Sequence, residues 1–385
     1  MVDLTRRKGE KQDTKRQKFY ALAINVKVVQ RQVSNVSFFE VAMKKPILLI
    51  FSWILLFTSV MEAHFSDDAL LFSGNVNPAL AQQVAAYVGA PIGKAMVKRF
   101  NDGEIRIQVE ENVRNKDVFI LQSTCLSETQ SINDSLMELF LLIRTMKRAS
   151  AASITAVIPY YGYARQDRKT SPRVPISAAD VAMLLEMGGV DRVVTVDLHC
   201  GQIQGFFHNV PVDNLYAFTL FTQYFIDKNL ENPVVVSPDA GGIDRVKRFI
   251  ENLGKQGISA GIALISKERE RPGVVAAMHL VGSVKGSDAI LVDDICDTGG
   301  TLMKAAELLK QEGAKRVFVA VTHPIFSNSS LDKISHSSIE EMVITDTIPL
   351  RQTPPSNVHC ISVAPLLGEA IRRIQCGESL SELFK

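Results

Sequence analysis

The stretch from Ala289 to Thr301 constrains this chain more than any other. It opens with Ala289-Ile290-Leu291-Val292, an apolar, branched run short enough to be a buried strand. Asp293 and Asp294 follow, then the turn Ile295-Cys296-Asp297-Thr298-Gly299-Gly300-Thr301. Beyond it Leu302, Ala305, Ala306 and Leu309 recur at helical spacing, and Gly313 supplies a stop, so a helix is predicted to begin at the turn. Val317 to Val321 reads as the next strand and completes a β-α-β unit.

The turn has a chemistry of its own. Gly299 and Gly300 let the backbone take positive φ and approach a ligand closely. Thr298 and Thr301 add hydroxyls, and the helix N-terminus adds unpaired N–H groups with partial positive charge, which together suit a phosphate monoester. No Gly-Lys-Ser/Thr follows, so this is not a Walker loop, and GxGxxG is absent. Asp293 and Asp294 would repel phosphate; they suit sugar hydroxyls or a magnesium ion. A ligand with a phosphate at one end and vicinal hydroxyls at the other is a phosphorylated pentose.

The rest of the chain from Asp68 onward repeats strand then helix, the pattern of parallel sheets in α/β layers. Strands are predicted at 118–121, 154–158, 193–196, 234–236, 262–265, 290–292, 317–321 and 359–363, and helices at 78–88, 136–148, 177–187 and 242–253. Polar residues collect after several of these strands: Tyr160-Tyr161-Gly162, Asp197 to His199, Ser237-Pro238-Asp239, Ser266-Lys267 and the Asp293-Asp294 pair. Ligands of open α/β sheets sit beyond the carboxyl ends of strands, so this concentration points to an enzyme.

Composition narrows the classes. A net charge of +2 over 385 residues gives no sign of a dedicated nucleic-acid binder or a polybasic membrane surface. Five scattered cysteines without a CxxC pair read as reduced thiols, and Cys296 in the turn suggests sensitivity to alkylation. Met1 to about Gln32 is basic and lacks apolar periodicity. The apolar segment 46–60 follows Lys44-Lys45 and gives 43–63 the outline of a secretory signal, although it is short for a membrane span.

The segment Val292–Leu302 closely resembles the ribose 5-phosphate loop of the type I phosphoribosyltransferase fold. Together with Arg99-Phe100-Asn101-Asp102-Gly103-Glu104, Tyr161 to Lys169, Val196 to Phe207, Ser237 to Gly242 and Ile265 to Pro272, it is similar to the ribose-phosphate pyrophosphokinase (phosphoribosyl-diphosphate synthetase) family from about Asp68 to the C-terminus. The resemblance implies two phosphoribosyltransferase-like domains, each a mainly parallel sheet flanked by helices: 68–213 on the ATP side and 214–385 on the ribose 5-phosphate side. Residues 1–67 form an extension without a predicted fold. Met61 lies about where a member of this family begins, so the first sixty residues read as a mis-called start; export or anchoring through 43–63 is the rival reading. ATP and sugar phosphates favour the cytoplasm, with membrane contact only if 46–60 is real and retained.

The same resemblance implies a reaction: the diphosphoryl group of MgATP passes to the C1 hydroxyl of ribose 5-phosphate, giving 5-phosphoribosyl 1-diphosphate and AMP for nucleotide biosynthesis. Phe100, Asp102, Gly103 and Glu104 are implied to bind ATP in a neighbouring subunit, Arg165 and Gln166 to contact ATP, and His199 and Asp239 to hold Mg2+. Lys267 is the implied catalytic cation, in a mobile loop with Arg269 beside it on the ribose 5-phosphate side. Asp293 and Asp294 would orient the sugar hydroxyls, and Asp297, Thr298, Gly299, Gly300 and Thr301 anchor the 5-phosphate. A homo-oligomer, a hexamer built from dimers, goes with the family. A base-salvage phosphoribosyltransferase shares the sugar-phosphate loop but not the Arg165, His199 and Lys267 blocks; a silent synthetase-associated subunit is the non-enzymatic alternative.

Overall fold

The computed structural model describes residues 65–384 apart from 67, 272 and 273, with the backbone alone for 267–271 and 274–277. Residues 1–64 of the extension, with the apolar segment 46–60, lie outside the described residues.

Among the described residues, one sheet consists of five parallel strands in the order β1-β4-β5-β6-β7: Ala69–Ser73, Asp117–Leu121, Ser153–Ile158, Arg192–Val196 and Val212–Leu215. β2 (Ala95–Arg99) and β3 (Ile105–Val109) form a separate antiparallel hairpin. The second sheet has the order β10-β9-β8-β11-β12-β13-β14. Its strands are Val274–Val281, Gly261–Arg271, Val234–Ser237, Asp288–Cys296, Arg316–Pro324, Glu341–Thr345 and Val358–Ile361, all parallel except the β9/β10 hairpin. This is the mixed α/β class expected of the strand–helix alternation. The helices are α1 (Pro78–Val88), α2 (Ile132–Arg148), α3 (Ser177–Gly188), α4 (Phe218–Ile226), α5 (Ile243–Lys255), α6 (Gly300–Gln311), α7 (Ser330–Ser335) and α8 (Ala364–Cys376). Among them none is long and apolar enough to cross a membrane.

Local chemistry accounts for the element ends. Asn77 caps α1 by accepting from the Leu80 N–H, and Pro78 starts the helix where no intrahelical N–H partner is needed. Ser131 and Asp134 form a reciprocal capping box at the head of α2. Strands β5, β6 and β8 are buried almost throughout, the mark of parallel strands covered on both faces.

One apolar core runs under both sheets. Phe225 of α4 stacks edge-on against Phe249 of α5 and Phe318 of β12, with ring centroids 6.0 and 5.8 Å apart, and Leu71, Leu215, Val235 and Ile290 belong to the same cluster. Edge-to-face rings add about 0.5–1.5 kcal/mol per pair beyond burial. The two sheets are therefore locked by packing, which fixes where their carboxyl strand ends meet.

Two departures from the sequence reading concern the site. β11 continues through Asp293 and Asp294 to Cys296, so the acids lie within the strand; pairing with β12 persists to Cys296↔Pro324 and holds it extended. The segment from Ile265, expected as a loop, continues β9 to Arg271 and turns back as β10, with Lys267 opposite Met278 and Arg269 opposite Val275.

Candidate active site

The glycine turn has the geometry its sequence demands. Gly299 lies in the left-handed region at φ 72° and heads α6, which starts at Gly300. Leu302, Ala305, Ala306 and Leu309 are buried, so the predicted helical face anchors the turn to the second sheet. Asp297 is held by the Ser327 hydroxyl on one oxygen and by Arg165 Nη1 at 2.8 Å on the other. Burial alone would raise its pKa, but Ser327 and Arg165 outweigh that and hold it below the usual carboxylate range. Arg165, predicted on the nucleotide side, thus already reaches the predicted sugar-phosphate turn.

A second bridge joins the strand ends. His199 Nδ1 lies 2.7 Å from Asp294 Oδ2. Asp294 Oδ1 is 3.1 Å from Arg245 Nη2, while Arg245 Nη1 lies 3.5 Å from Asp293 Oδ1, which also accepts the Asp294 N–H at 2.9 Å. Two adjacent carboxylates, Asp294 buried and Asp293 half-buried, cannot both ionise cheaply. Burial pushes both upward; Arg245 and His199 then hold Asp294 well below its normal range, whereas the neighbouring Asp294 charge pushes Asp293 further up. The His199 pKa is raised, chiefly by its hydrogen bond to Asp294 and against its own burial.

Sequence reasoning missed Arg245. The signal was available: in α5 the residues at 245, 249, 252 and 253 share one face, and Phe249, Asn252 and Leu253 are buried, so an arginine there must meet an acid. Ser327 and the β12 residues Thr322 and His323 were missed as well, because nothing local marks a long-range partner.

Asp239 begins the short 3-10 turn Ala240–Gly242, where its Oδ1 accepts from the N–H groups of Gly241 and Gly242 at 3.0 and 3.3 Å. It is close enough for its charge to act on Arg245 and Asp293. Among the described residues no group of three His, Cys, Asp or Glu side chains converges to form an all-protein metal cage. Gln166 is fixed by the Ser177 hydroxyl and by its carbonyl accepting the Ala178 N–H at 3.2 Å. Beside Arg165 and Gln166 opens a cavity of about 400 Å³ that also meets Tyr160, Tyr163, Ile325 and Ile348. A second cavity, about 380 Å³, lies between Arg192, Asp213 and the C-terminal residues, touching none of the predicted site residues.

Phe100, Asp102, Gly103 and Glu104 form the tip of the β2–β3 hairpin. Gly103 takes φ 96°, and Asp102 Oδ1 accepts the Glu104 N–H at 3.1 Å. The hairpin is tied to α2 by Arg99 and Asp134 at 3.1 Å, and Phe100 stays 49% exposed. Cys296 is 1% exposed, and burial pushes its thiol up to about 12, both of which run against the expected sensitivity to alkylation.

The fold and these strand-end clusters define the class, an α/β protein whose polar residues gather where the carboxyl ends of two sheets meet. Residues 69–189 match the N-terminal domain of ribose phosphate pyrophosphokinase and residues 263–385 match the phosphoribosyl synthetase-associated domain. The chain is 49% identical to the ribose-phosphate pyrophosphokinase of Wolinella succinogenes over 82% of its length and 98% of the relative's. It is 46% identical to that of Helicobacter pylori over 82% of its own length and 95% of the relative's. A crystal structure of phosphoribosylpyrophosphate synthetase from Mycobacterium smegmatis is 38% identical, with a TM-score of 0.73 over 81% of this chain and 100% of the other. This chain belongs to the ribose-phosphate pyrophosphokinase family.

Proposed function

We infer that the chain is an enzyme that carries out the family's reaction: the C1 hydroxyl of ribose 5-phosphate attacks the β-phosphorus of ATP, yielding 5-phosphoribosyl 1-diphosphate and AMP. The observation that supports it most is the pair of bridges Arg165–Asp297 and His199–Asp294, which put a predicted ATP contact and a predicted magnesium ligand within 2.8 and 2.7 Å of predicted sugar residues. Phosphoryl transfer needs little covalent help; the protein positions the two reactants in line and offsets charge. A base-salvage transferase gives no account of these nucleotide-side residues, and a silent subunit would not need them.

In this reading the 5-phosphate lies on the backbone of Asp297 to Thr301, at the head of α6, with Asp293 and Asp294 accepting from the sugar hydroxyls. Arg165 and Gln166 hold the triphosphate side. The 68–213 part supplies the ATP side and 214–385 the sugar side. Lys267 and Arg269 offset charge at the transferring phosphorus, brought there by the β9–β10 hairpin. The exposed Phe100 and the acids of its hairpin tip complete the ATP site of a neighbouring subunit, so activity requires the oligomer, a hexamer in this proposal.

Magnesium fits the donors present. His199 gives Nδ1–H to Asp294, which orients the ring and leaves Nε2 for a cation, an arrangement common among metal-bound histidines. Asp239 supplies a carboxylate nearby, and magnesium typically takes only one or two protein ligands beside phosphate oxygens and water. Bound there, the ion would offset charge on the triphosphate.

The test is a kinetic comparison of Lys267→Ala with the unaltered chain. The proposal requires turnover to fall by orders of magnitude while ATP binding changes modestly; near-normal turnover would refute the assignment.

A further inference from the structure

His199 stands three residues beyond the end of β6, on a turn that belongs to no regular element. Such a turn would ordinarily let an imidazole sample several positions. Here the backbone is pinned at successive atoms. Asp197 N–H donates to Leu215 O at 2.8 Å, and Leu198 N–H donates to Asn214 Oδ1 at 3.0 Å. Both ties come from β7, in the same sheet.

Further ties come from Thr322 and His323 of the other sheet. Thr322 Oγ1 donates to Asp197 Oδ2 at 2.7 Å, beside the Ala217 N–H at 3.0 Å. His323 Nε2 donates to the carbonyls of Val196 and Asp197, each at 3.1 Å, while its Nδ1 accepts from Thr347 Oγ1 at 2.9 Å. Thr322 and His323 are buried. Asp197 sits in the left-handed region at φ 42°, a conformation a non-glycine residue keeps only where surrounding bonds over-determine it.

Thr322 and His323 lie just before Pro324, the end of β12, a strand whose neighbour β11 carries Asp294; His323 is in register with Ile295. One pair of strands therefore holds both partners of the His199–Asp294 contact, Asp294 directly and His199 through the Asp197 turn. We propose that Thr322 and His323 are positioning residues that aim His199 at Asp294 across the two sheets. The proposal rests on the reading of His199 as a nucleotide-side residue. A purely structural clamp would serve as well with apolar packing, whereas Thr322 and His323 each place a bond on Asp197, two residues before His199.

Thr322→Val keeps the shape and removes only the hydroxyl; Thr322→Ser restores it. The full chain is assayed with each variant, alone and with His199→Ala, and the His199 ring N–H is followed by NMR in the metal-free protein. Expected are an approximately tenfold loss in kcat/KM for ATP, a KM for ribose 5-phosphate within about twofold, recovery in Thr322→Ser, and a shifted ring signal in Thr322→Val alone. In the His199→Ala background the Thr322→Val loss should vanish, since residues acting through one another are not additive. A full loss there, or an unmoved ring signal, would overturn the proposal. Unchanged turnover in His199→Ala by itself would instead overturn the reading of His199, and the ring signal would still decide whether β12 holds the turn.

Discussion

His199 Nδ1 lies 2.7 Å from Asp294 Oδ2, joining the turn after β6 of one sheet to β11 of the other across 95 positions of sequence. The bond raises the His199 pKa, so its contribution to stability is full below about pH 6.5 and fades as pH rises through the raised folded value. His323 has the opposite sign. Burial lowers its pKa, so the unfolded chain takes up a proton that the fold refuses, and stability falls below about pH 6.5 by up to about 1.4 kcal/mol per pH unit. Denaturant midpoints across that range should show His199→Gln furthest from the parent at acid pH and His323→Gln closest to it there. Curves that stay parallel would contradict both assignments.

Arg245 is the cation that allows Asp293 and Asp294 to share a buried site. Arg245→Met removes the guanidinium that both acids share and leaves only His199 on Asp294, and removing one partner of a buried pair typically costs about 3–5 kcal/mol. Adding Asp293→Asn should recover part of that loss. Equilibrium unfolding checks it; a single-variant loss under about 1 kcal/mol would count against this role.

Gly299→Ala separates conformation from crowding. A Cβ there would meet Ile334 Cδ1 at 3.6 Å, an ordinary contact, so the expense is the left-handed backbone at φ 72°. About 1–2 kcal/mol of strain is expected, and it falls on the turn assigned to the 5-phosphate. Initial rates should show KM for ribose 5-phosphate rising several-fold with KM for ATP nearly unchanged; equal rises in both would place the turn elsewhere in the reaction.

Arg165→Ala should divide stability from activity. The Arg165 and Asp297 side chains are 53% and 31% exposed, so losing their bridge should cost under about 1 kcal/mol of stability. Its loss to ATP should be far larger, because a guanidinium fork holds phosphate oxygens two at a time. A tenfold or greater rise in KM for ATP with an almost unmoved melting temperature is expected. Large destabilisation with intact ATP affinity would reverse the interpretation.

Much of this was legible in the chain itself. The apolar runs at 154–158 and 193–196, and the helical spacing after Gly300, hold locally and matched the strands and helix found. Strands β7 and β13, four and five residues long, are too short to show a period, whereas α4 and α8 carry apolar stripes, Phe218-Phe221-Phe225 and Leu366-Leu367-Ala370-Ile371, that went unmarked. At the site, the glycine turn and the acids could be read because their chemistry is contiguous. Arg245, Ser327, Thr322 and His323 could not, since each acts through a partner that only tertiary packing brings near. Arg245 was the nearest to legible, as a charge on the buried face of α5.

The most direct measurement follows both outer phosphates of ATP. Purified full-length chain is incubated with ribose 5-phosphate and ATP labelled separately at the β and γ positions, and the products are counted. The account predicts that AMP and 5-phosphoribosyl 1-diphosphate appear in equal amounts, with both labels in the sugar product and none released without ribose 5-phosphate. Formation of ADP with only the γ label transferred, or AMP release indifferent to the sugar, would contradict it.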